Sequence, residues 1–441
     1  MAHPKWNIDD IERDRLRLSS FEQQLETYKG TQKLGIALWR ALASSLRNGL
    51  ARLLPGQVAK AGLTVDFLTA NPNFKPYKIR LHPQQAGVSV IRPKILHVIP
   101  VFSTGGSQQL VVDLIEGLSR EYIHELFVRD KSRGIGYVGI PVHEGPYLKD
   151  EQSFQVILET LRPDIVHVHY WGRRDEYIDW KWYHNVFQGS AVYGCRVIEN
   201  CNNPLTPYFH GSINRYVYVS EYTRDTFGMR HLPNKVVYPG SNFSFFDRGN
   251  SMPDPDTIGM VYRLDQDKLN EFSIDPLISA VQWRPRTKAL VVGGGYYLEL
   301  FRQKVAAAGL TERFTFTGYV AYEALTAYYQ QMAVFVAPVH QESFGQVTPF
   351  AMNMGIPVVA YNVGALDEIL TDSSVLAPAQ DSDAMAKIIV GLLDDPARRH
   401  AIGEANRRRA NQFFSVETMV AAYRQMYQAV LSGPRVSLSS D

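Results

Sequence analysis

The sequence predicts an α/β chain: two doubly wound parallel sheets facing a central cleft, preceded by a helical N-terminal extension. Three observations predict it. Short apolar strands alternate with amphipathic helices from about residue 93 to 245. A polar break, "DRGNSMPDPD", interrupts the alternation, and a second alternation starts at Thr257. Strand–turn–helix repetition is the pattern of a parallel sheet covered by helices. The predicted boundaries are 1–90 for the extension and linker, 91–250 for the first domain and 251–414 for the second. A last helix, about 415–431, is predicted to pack back on the first domain.

The extension holds no Asp or Glu from Thr27 to Val65, while Lys33, Arg40 and Arg47 recur every seven residues and so share a helix face. Leu34, Leu38, Leu42, Leu46, Leu50 and Leu53 lie at helical spacing on another face. This is a basic amphipathic helix, able to lie on an anionic membrane or to dock on protein. Pro55-Gly56 ends it, and "NPNFKPYKIRLHPQQAG" reads as a linker.

In the first domain "KILHVIP" is a strand, "STGGSQ" a Gly turn and "QLVVDLIEGLSR" an amphipathic helix. "DIVHVHY", "RVIENC" and "YVYVS" are further strands, the last followed by the helix "EYTRDTFG". In the second, "TIGMVYRL", "ALVVGGG", "FTFTGYV", "AVFVAPV" and "PVVAYN" are strands. "EALTAYYQQM", "TPFAMNMG" and "DPARRHAIGEANRRRANQFF" are helices. "SVETMVAAYRQMYQAVL" opens on a Ser cap and places Met419, Tyr423, Met426 and Val430 on one face. Each half is therefore Rossmann-like, and ligands of such sheets sit at the carboxyl ends of the strands.

The 441 residues are 45% hydrophobic and 20% charged, with formal net charge +2, so bulk nucleic-acid electrostatics is not implied. Cys195 and Cys201 fit no zinc or redox spacing and read as reduced thiols. The polar N-terminus is no signal peptide, and no run of about 18 apolar residues occurs. The expected compartment is the cytoplasm, with peripheral contact on the inner membrane face through residues 27–65.

Four features fall at strand ends. Gly105-Gly106-Ser107 can bring backbone amides to a phosphate or simply form a turn. Arg263 and Lys268 can neutralise a diphosphate, or pair with Asp265 and Asp267. Glu342 can accept hydroxyl hydrogen bonds beside the Ser343, Phe344 and Gly345 amides, or cap a turn. His167 and His169 share a strand face, with no third ligand nearby in sequence, so no metal is expected.

Order and spacing together resemble the retaining, nucleotide-sugar-dependent glycosyltransferases of family 4, which have two Rossmann domains (the GT-B fold). The resemblance covers about Lys94 to Leu431. "IGMVYRLDQDK" resembles the family's Gly-Arg-Leu…Lys segment, and "TFTGYVAYEALTAYYQQMAVFVAPVHQESFG" and "GIPVVAYNVGALDEIL" follow it closely. "PVFSTGGSQQLVVDL" resembles the Gly-Gly-x-Glu loop with Gln108 in place of Glu, and "DIVHVHYW" the His-x-His strand. "VVYPGSNFSFFD" resembles the segment closing the first domain. The first 90 residues have no counterpart.

The resemblance implies roles. Gly105, Gly106, Arg263 and Lys268 would hold the donor diphosphate. Glu342 with the amides of Ser343, Phe344 and Gly345 would hold the donor sugar, and the turn Gly318-Tyr319-Val320 would meet the base. His169 would sit near the transferred sugar and a glycan or lipid-linked acceptor. Neither metal nor cofactor is implied, the nucleotide-sugar being a substrate. The departure is Phe350, where the family has a Glu that accepts the ribose hydroxyls. It leaves open an active transferase with an altered nucleotide, such as a dTDP-deoxysugar, a non-catalytic partner or scaffold subunit, and a binding module. Trp171, Trp180, Trp182 and Tyr183 either line an acceptor or pack a core.

Overall fold

The computed structural model describes residues 76–82, 92–102, 105–131, 136–145, 148, 150–171, 177–249 and 253–433. The basic helix expected over residues 27–65 lies outside them. The described residues form two compact units, one running to Val237 and including the chain from Val420, the other Tyr238–Met419.

The first unit begins with β1 (Tyr77–Lys78) and β2 (Lys94–Val98), then α1 (Gly106–Leu118) and β3 (Ile123–Val128). Next come β4 (Tyr137–Val138), β5 (Val142–Glu144), α2 (Glu151–Leu161), β6 (Ile165–Tyr170) and α3 (Tyr177–Tyr193). β7 (Arg196–Cys201), β8 (Ile213–Tyr218), α4 (Glu221–Phe227) and β9 (Asn234–Val236) follow. The main sheet has order β5-β3-β2-β6-β7-β8-β9, parallel throughout. All six residues of β6 are buried, as expected of a strand covered on both faces. Helix ends follow local chemistry: the Asp150 side chain caps the Ser153 amide at 3.0 Å, and Ser220 caps Thr223 at 3.0 Å.

The stretch read as a linker carries structure. β1 pairs in parallel with β4. Tyr77 Oη and the Arg80 amide both donate to Glu116 of α1, at 3.0 and 2.8 Å. Only two strand residues take part, too few for an alternating pattern to show in sequence.

The second unit comprises β10 (Thr257–Val261), α5 (Asp275–Trp283), β11 (Lys288–Val292), α6 (Leu298–Ala307), β12 (Phe314–Phe316) and α7 (Leu325–Tyr329). It continues with β13 (Val334–Ala337), α8 (Val347–Asn353), β14 (Val358–Tyr361) and α9 (Leu366–Leu370). β15 (Leu376–Ala377), α10 (Ser382–Asp394) and α11 (Pro396–Phe413) complete it. Its sheet is parallel, with order β12-β11-β10-β13-β14-β15. The segment Tyr238–Asp247, expected to close the first domain, packs with this second unit instead. The cause is aromatic: Phe246 is fully buried and stacks on Phe350, and Asn353 donates to its carbonyl at 2.6 Å.

The final helix, α12 (Val416–Ser432), has Ser415 accepting the Thr418 amide at 3.1 Å. Met419, Tyr423, Met426 and Val430 are buried. From Val420 onward it packs within the first unit, where Tyr423 Oη donates to Asn200 and Arg424 Nε donates to both carboxylate oxygens of Glu121, at 2.8 and 3.0 Å.

Candidate functional site

Where strand order reverses in a doubly wound sheet, the loops leaving the two central strands diverge and open a crevice at their carboxyl ends. In the second unit the reversal lies between β10 and β13. Arg263 and Lys268 follow β10, and Glu342 follows β13. The sheet thus brings together residues more than 70 positions apart. The loops are zipped by the His340 amide on the Lys268 carbonyl at 3.0 Å and by Gln341 Nε2 on the Asp267 carbonyl at 3.1 Å.

Glu342 is 1% exposed and pairs through Oε1 with Lys268 Nζ. The same oxygen accepts the Ser343 amide at 3.0 Å and the Phe344 amide at 3.4 Å. Those two amides, expected to meet sugar hydroxyls, are therefore engaged by the carboxylate, because a buried anion recruits its nearest donors. Glu342 Oε2 is buried with no hydrogen-bond partner, as is His340 Nδ1. Tyr262 lies within reach of this charge: burial, and then Glu342, push its phenol well above the usual value. Gly364 fits here for want of a side chain, since a Cβ would stand 2.0 Å from the Glu342 carbonyl oxygen, and its φ is +60°.

Arg263 is 64% exposed and is held by Asp267 at 2.7 Å, with Asp265 at 3.9 Å. An exposed pair of this kind is worth about 0–1 kcal/mol, so a doubly charged diphosphate can displace it. Tyr319, 42% exposed, follows Gly318 (φ +67°) and lies on Gly294, where a Cβ would come 2.7 Å from its ring. Val320 is the next residue of this turn. The Gly293–Gly295 turn was not singled out as part of the site in sequence. Its run of three glycines at a strand end is the signal that could have found it.

Phe350 lies in α8, buried, with its ring stacked on Phe246 at 3.8 Å and 11°. Tyr322 meets it edge-on at 6.1 Å, and Tyr329 meets Phe246 at 5.7 Å. An apolar block occupies this position.

In the first unit the reversal lies between β2 and β6. Gly105 precedes α1, and Gly106 is the helix's first residue. Gln108 is buried and donates to the Val101 carbonyl at 3.1 Å, tying the turn to the end of β2. His169 is fully buried at the end of β6. The register pairs His97 with His167 and Ile95 with His124, and the period of two puts His97, His124, His167 and His169 on one face. His97 Nδ1 lies 3.3 Å from His169 Nε2, His97 Nε2 lies 3.0 Å from His124 Nδ1, and His167 Nδ1 lies 2.8 Å from Tyr427 Oη. Desolvation pushes all four imidazoles far below their ordinary pKa, His124 and His167 to about 3. The absence of a third histidine near the His-x-His strand was a matter of sequence distance only; the sheet supplies His97 from β2. Trp182 and Tyr183 are core residues, Trp182 stacking on Phe127 at 5.6 Å and 3°. Trp171 is half-buried, and the Trp180 side chain lies outside the described residues.

A family model described as Glycosyl transferases group 1 matches residues 255–395, the part that carries Arg263, Lys268, Glu342 and Phe350. The lipopolysaccharide core biosynthesis mannosyltransferase LpsB of Rhizobium meliloti is 30% identical over 183 residues, 40% of this chain and 52% of the relative. The chain thus spans about half the length of that curated relative. Among solved structures, sucrose-phosphate synthase from Thermosynechococcus elongatus aligns at TM-score 0.61 and 21% identity, over 77% of this chain and all of the other. HepE of Anabaena, solved with UDP and glucose, aligns at TM-score 0.62 and 18% identity, over 77% of this chain and all of the other. The fold is that of GT-B glycosyltransferases: mixed α/β, with parallel sheets in two Rossmann-like domains.

Proposed function

We propose that the chain transfers a sugar from a nucleotide-diphosphate donor to a glycan or lipid-linked acceptor, with retention at the anomeric carbon. The observation that carries this reading is the convergence of Arg263, Lys268 and Glu342 at one strand reversal, inside the stretch that matches the glycosyltransferase model. In this reading Arg263 turns from Asp267 to the diphosphate, and Lys268 bridges Glu342 and a phosphate oxygen. As the bond from the anomeric carbon to the phosphate oxygen breaks, charge grows on the diphosphate where these cations stand. The acceptor oxygen enters on the same face, and its proton passes to the departing phosphate oxygen. Glu342 Oε2 is the acceptor left for a sugar hydroxyl. The ring of Tyr319, with Gly318 and Val320, meets the base. His169, which the resemblance would place near the transferred sugar, is fully buried among the histidines of its strand face and takes no part in this reading.

Phe350 sets the nucleotide. Buried against Phe246, it offers no acceptor to a ribose hydroxyl. A deoxythymidine diphosphate has no 2′-hydroxyl and loses less there than UDP or GDP, so a dTDP-deoxysugar is the proposed donor. The experiment is calorimetry with dTDP, UDP and GDP, then a donor screen for transfer. Tighter UDP than dTDP binding sinks the donor assignment. In the screen, Arg263→Ala should lower kcat/KM about 100-fold, about 3 kcal/mol. If no donor is turned over, the chain is instead a non-catalytic partner subunit, the reading that Phe350 alone favours.

Peripheral attachment to anionic lipid through residues 27–65 is part of the proposal, on the ground that this stretch holds no Asp or Glu while Lys33, Arg40 and Arg47 recur every seven residues. Among the described residues no helix is long and apolar enough to cross a membrane. Flotation with anionic liposomes should be lost on deleting residues 1–60; unchanged flotation refutes it.

A further inference from the structure

We propose that His97, His167 and His169 form a binding site for a transition-metal ion of the zinc class inside the first unit. One ligand nitrogen from each lies within 4.8 Å of the others, and all three side chains are fully buried. Strand register holds the three imidazoles together on one face of two adjacent parallel strands, and side-chain rotation of a few tenths of an ångström would bring the third nitrogen onto an ion that the 3.3 Å pair of His97 and His169 already fits. Imidazole nitrogen suits zinc, copper, cobalt and nickel rather than magnesium or calcium.

The outer hydrogen bonds of two of the three histidines fit a ligand set. A metal-bound histidine ordinarily donates its other ring N–H to a fixed acceptor. His97 can bind through Nδ1, the atom facing His169, while its Nε2–H donates to His124 Nδ1 at 3.0 Å. His167 can bind through Nε2 while its Nδ1–H donates to Tyr427 Oη at 2.8 Å. That Nε2 is buried with no partner, and the neighbouring Asn200 amide is already committed to Asn202 and Tyr423. His169 would bind through Nε2, which leaves its buried Nδ1–H without an acceptor among the described residues. The fourth position falls to water or hydroxide, which offsets part of the ion's charge. The ion ties β2 and β6, and through Tyr427 also α12, into one structure. Its chemistry is separate from the charge that Arg263 and Lys268 supply.

The test uses the tag-free full-length chain, stripped with EDTA and titrated with Co²⁺. One equivalent should give the visible bands of tetrahedral cobalt, displaced by Zn²⁺, and Zn²⁺ should raise Tm. The double variant His97→Asn/His169→Asn should lose the bands. His124→Leu, which removes no ligand, should keep one equivalent but bind about 10–100-fold more weakly. If the double variant fails to fold, the wild type and His124→Leu decide. A folded wild type with no stoichiometric cobalt bands, or bands that survive in the double variant, overturns the site. These readouts use no sugar donor, so their failure leaves the proposed transfer reaction standing.

Discussion

Phe350 shows what one residue can reveal in sequence and what it cannot. Its position, eight residues after Glu342, marks it as a departure from the resembled family, and the apolar character of "TPFAMNMG" marks its helix. Its partner Phe246 lies 104 residues upstream, in a segment that reads as belonging to the other domain, so nothing local foretells the stack. The stack makes a specific prediction. Phe350→Glu places a carboxylate against the rings of Phe246 and Tyr322, which supply no cation to pair with it. The variant should melt at lower temperature, the cost being about 1–3 kcal/mol. It should also shift calorimetric preference from dTDP toward UDP by about tenfold, the worth of one hydrogen bond to a charged acceptor. A variant with unchanged Tm would show that Phe350 is not packed as described. Arg263, Lys268 and Glu342 were legible for the opposite reason: each sits in a contiguous motif at a strand end. What the sequence hid was that Glu342 uses the Ser343 and Phe344 amides for itself.

At the scale of elements, α12 was readable as a helix because Met419, Tyr423, Met426 and Val430 repeat at helical spacing. The polar atoms on its inner face were not readable, since their partners are Asn200 and His167, more than 220 residues away. Two substitutions on this helix should differ sharply. Tyr427→Phe removes the hydroxyl from a buried ring and leaves His167 Nδ1 without its partner, costing about 1–3 kcal/mol. Arg424→Ala breaks a pair whose side chains are 35% and 39% exposed, and water replaces the lost partner, so the cost stays within about 1 kcal/mol. Chemical denaturation of both variants measures the contrast, and equal losses would remove the claim that burial sets the worth of these contacts. β1 makes the same point from the other side. Two residues pairing with β4 carry no periodic signal, and the brace they form on Glu116 appears only when the chain is folded.

For the molecule as a whole, the histidine face predicts how stability depends on pH. Four imidazoles are held far below their ordinary value of 6.5 by desolvation, with His124 and His167 at about 3. Tyr122 and Tyr427 pack against this face as neutral phenols, and Arg92 adds a further cation near His124. In the unfolded chain the same groups take up protons near pH 6.5. Between that value and about 3 the unfolded state therefore binds more protons than the folded one, and stability rises with pH. Read downward, acidification from pH 7 to 5 should destabilise the first unit, each histidine contributing a slope of up to about 1.4 kcal/mol per pH unit below 6.5. Glu199 acts in the opposite sense: burial raises its carboxyl, so its share of stability fades as pH climbs above the ordinary carboxylate range. The histidines outnumber it, and the net slope should be positive from pH 5 to 6.5. Thermal melts of EDTA-treated protein across that range, alongside His124→Leu, test this. The variant should show the shallower slope, having one fewer buried imidazole. Identical slopes would mean that His124 takes up its proton as readily in the folded state as in the unfolded one, and would overturn the account of this face.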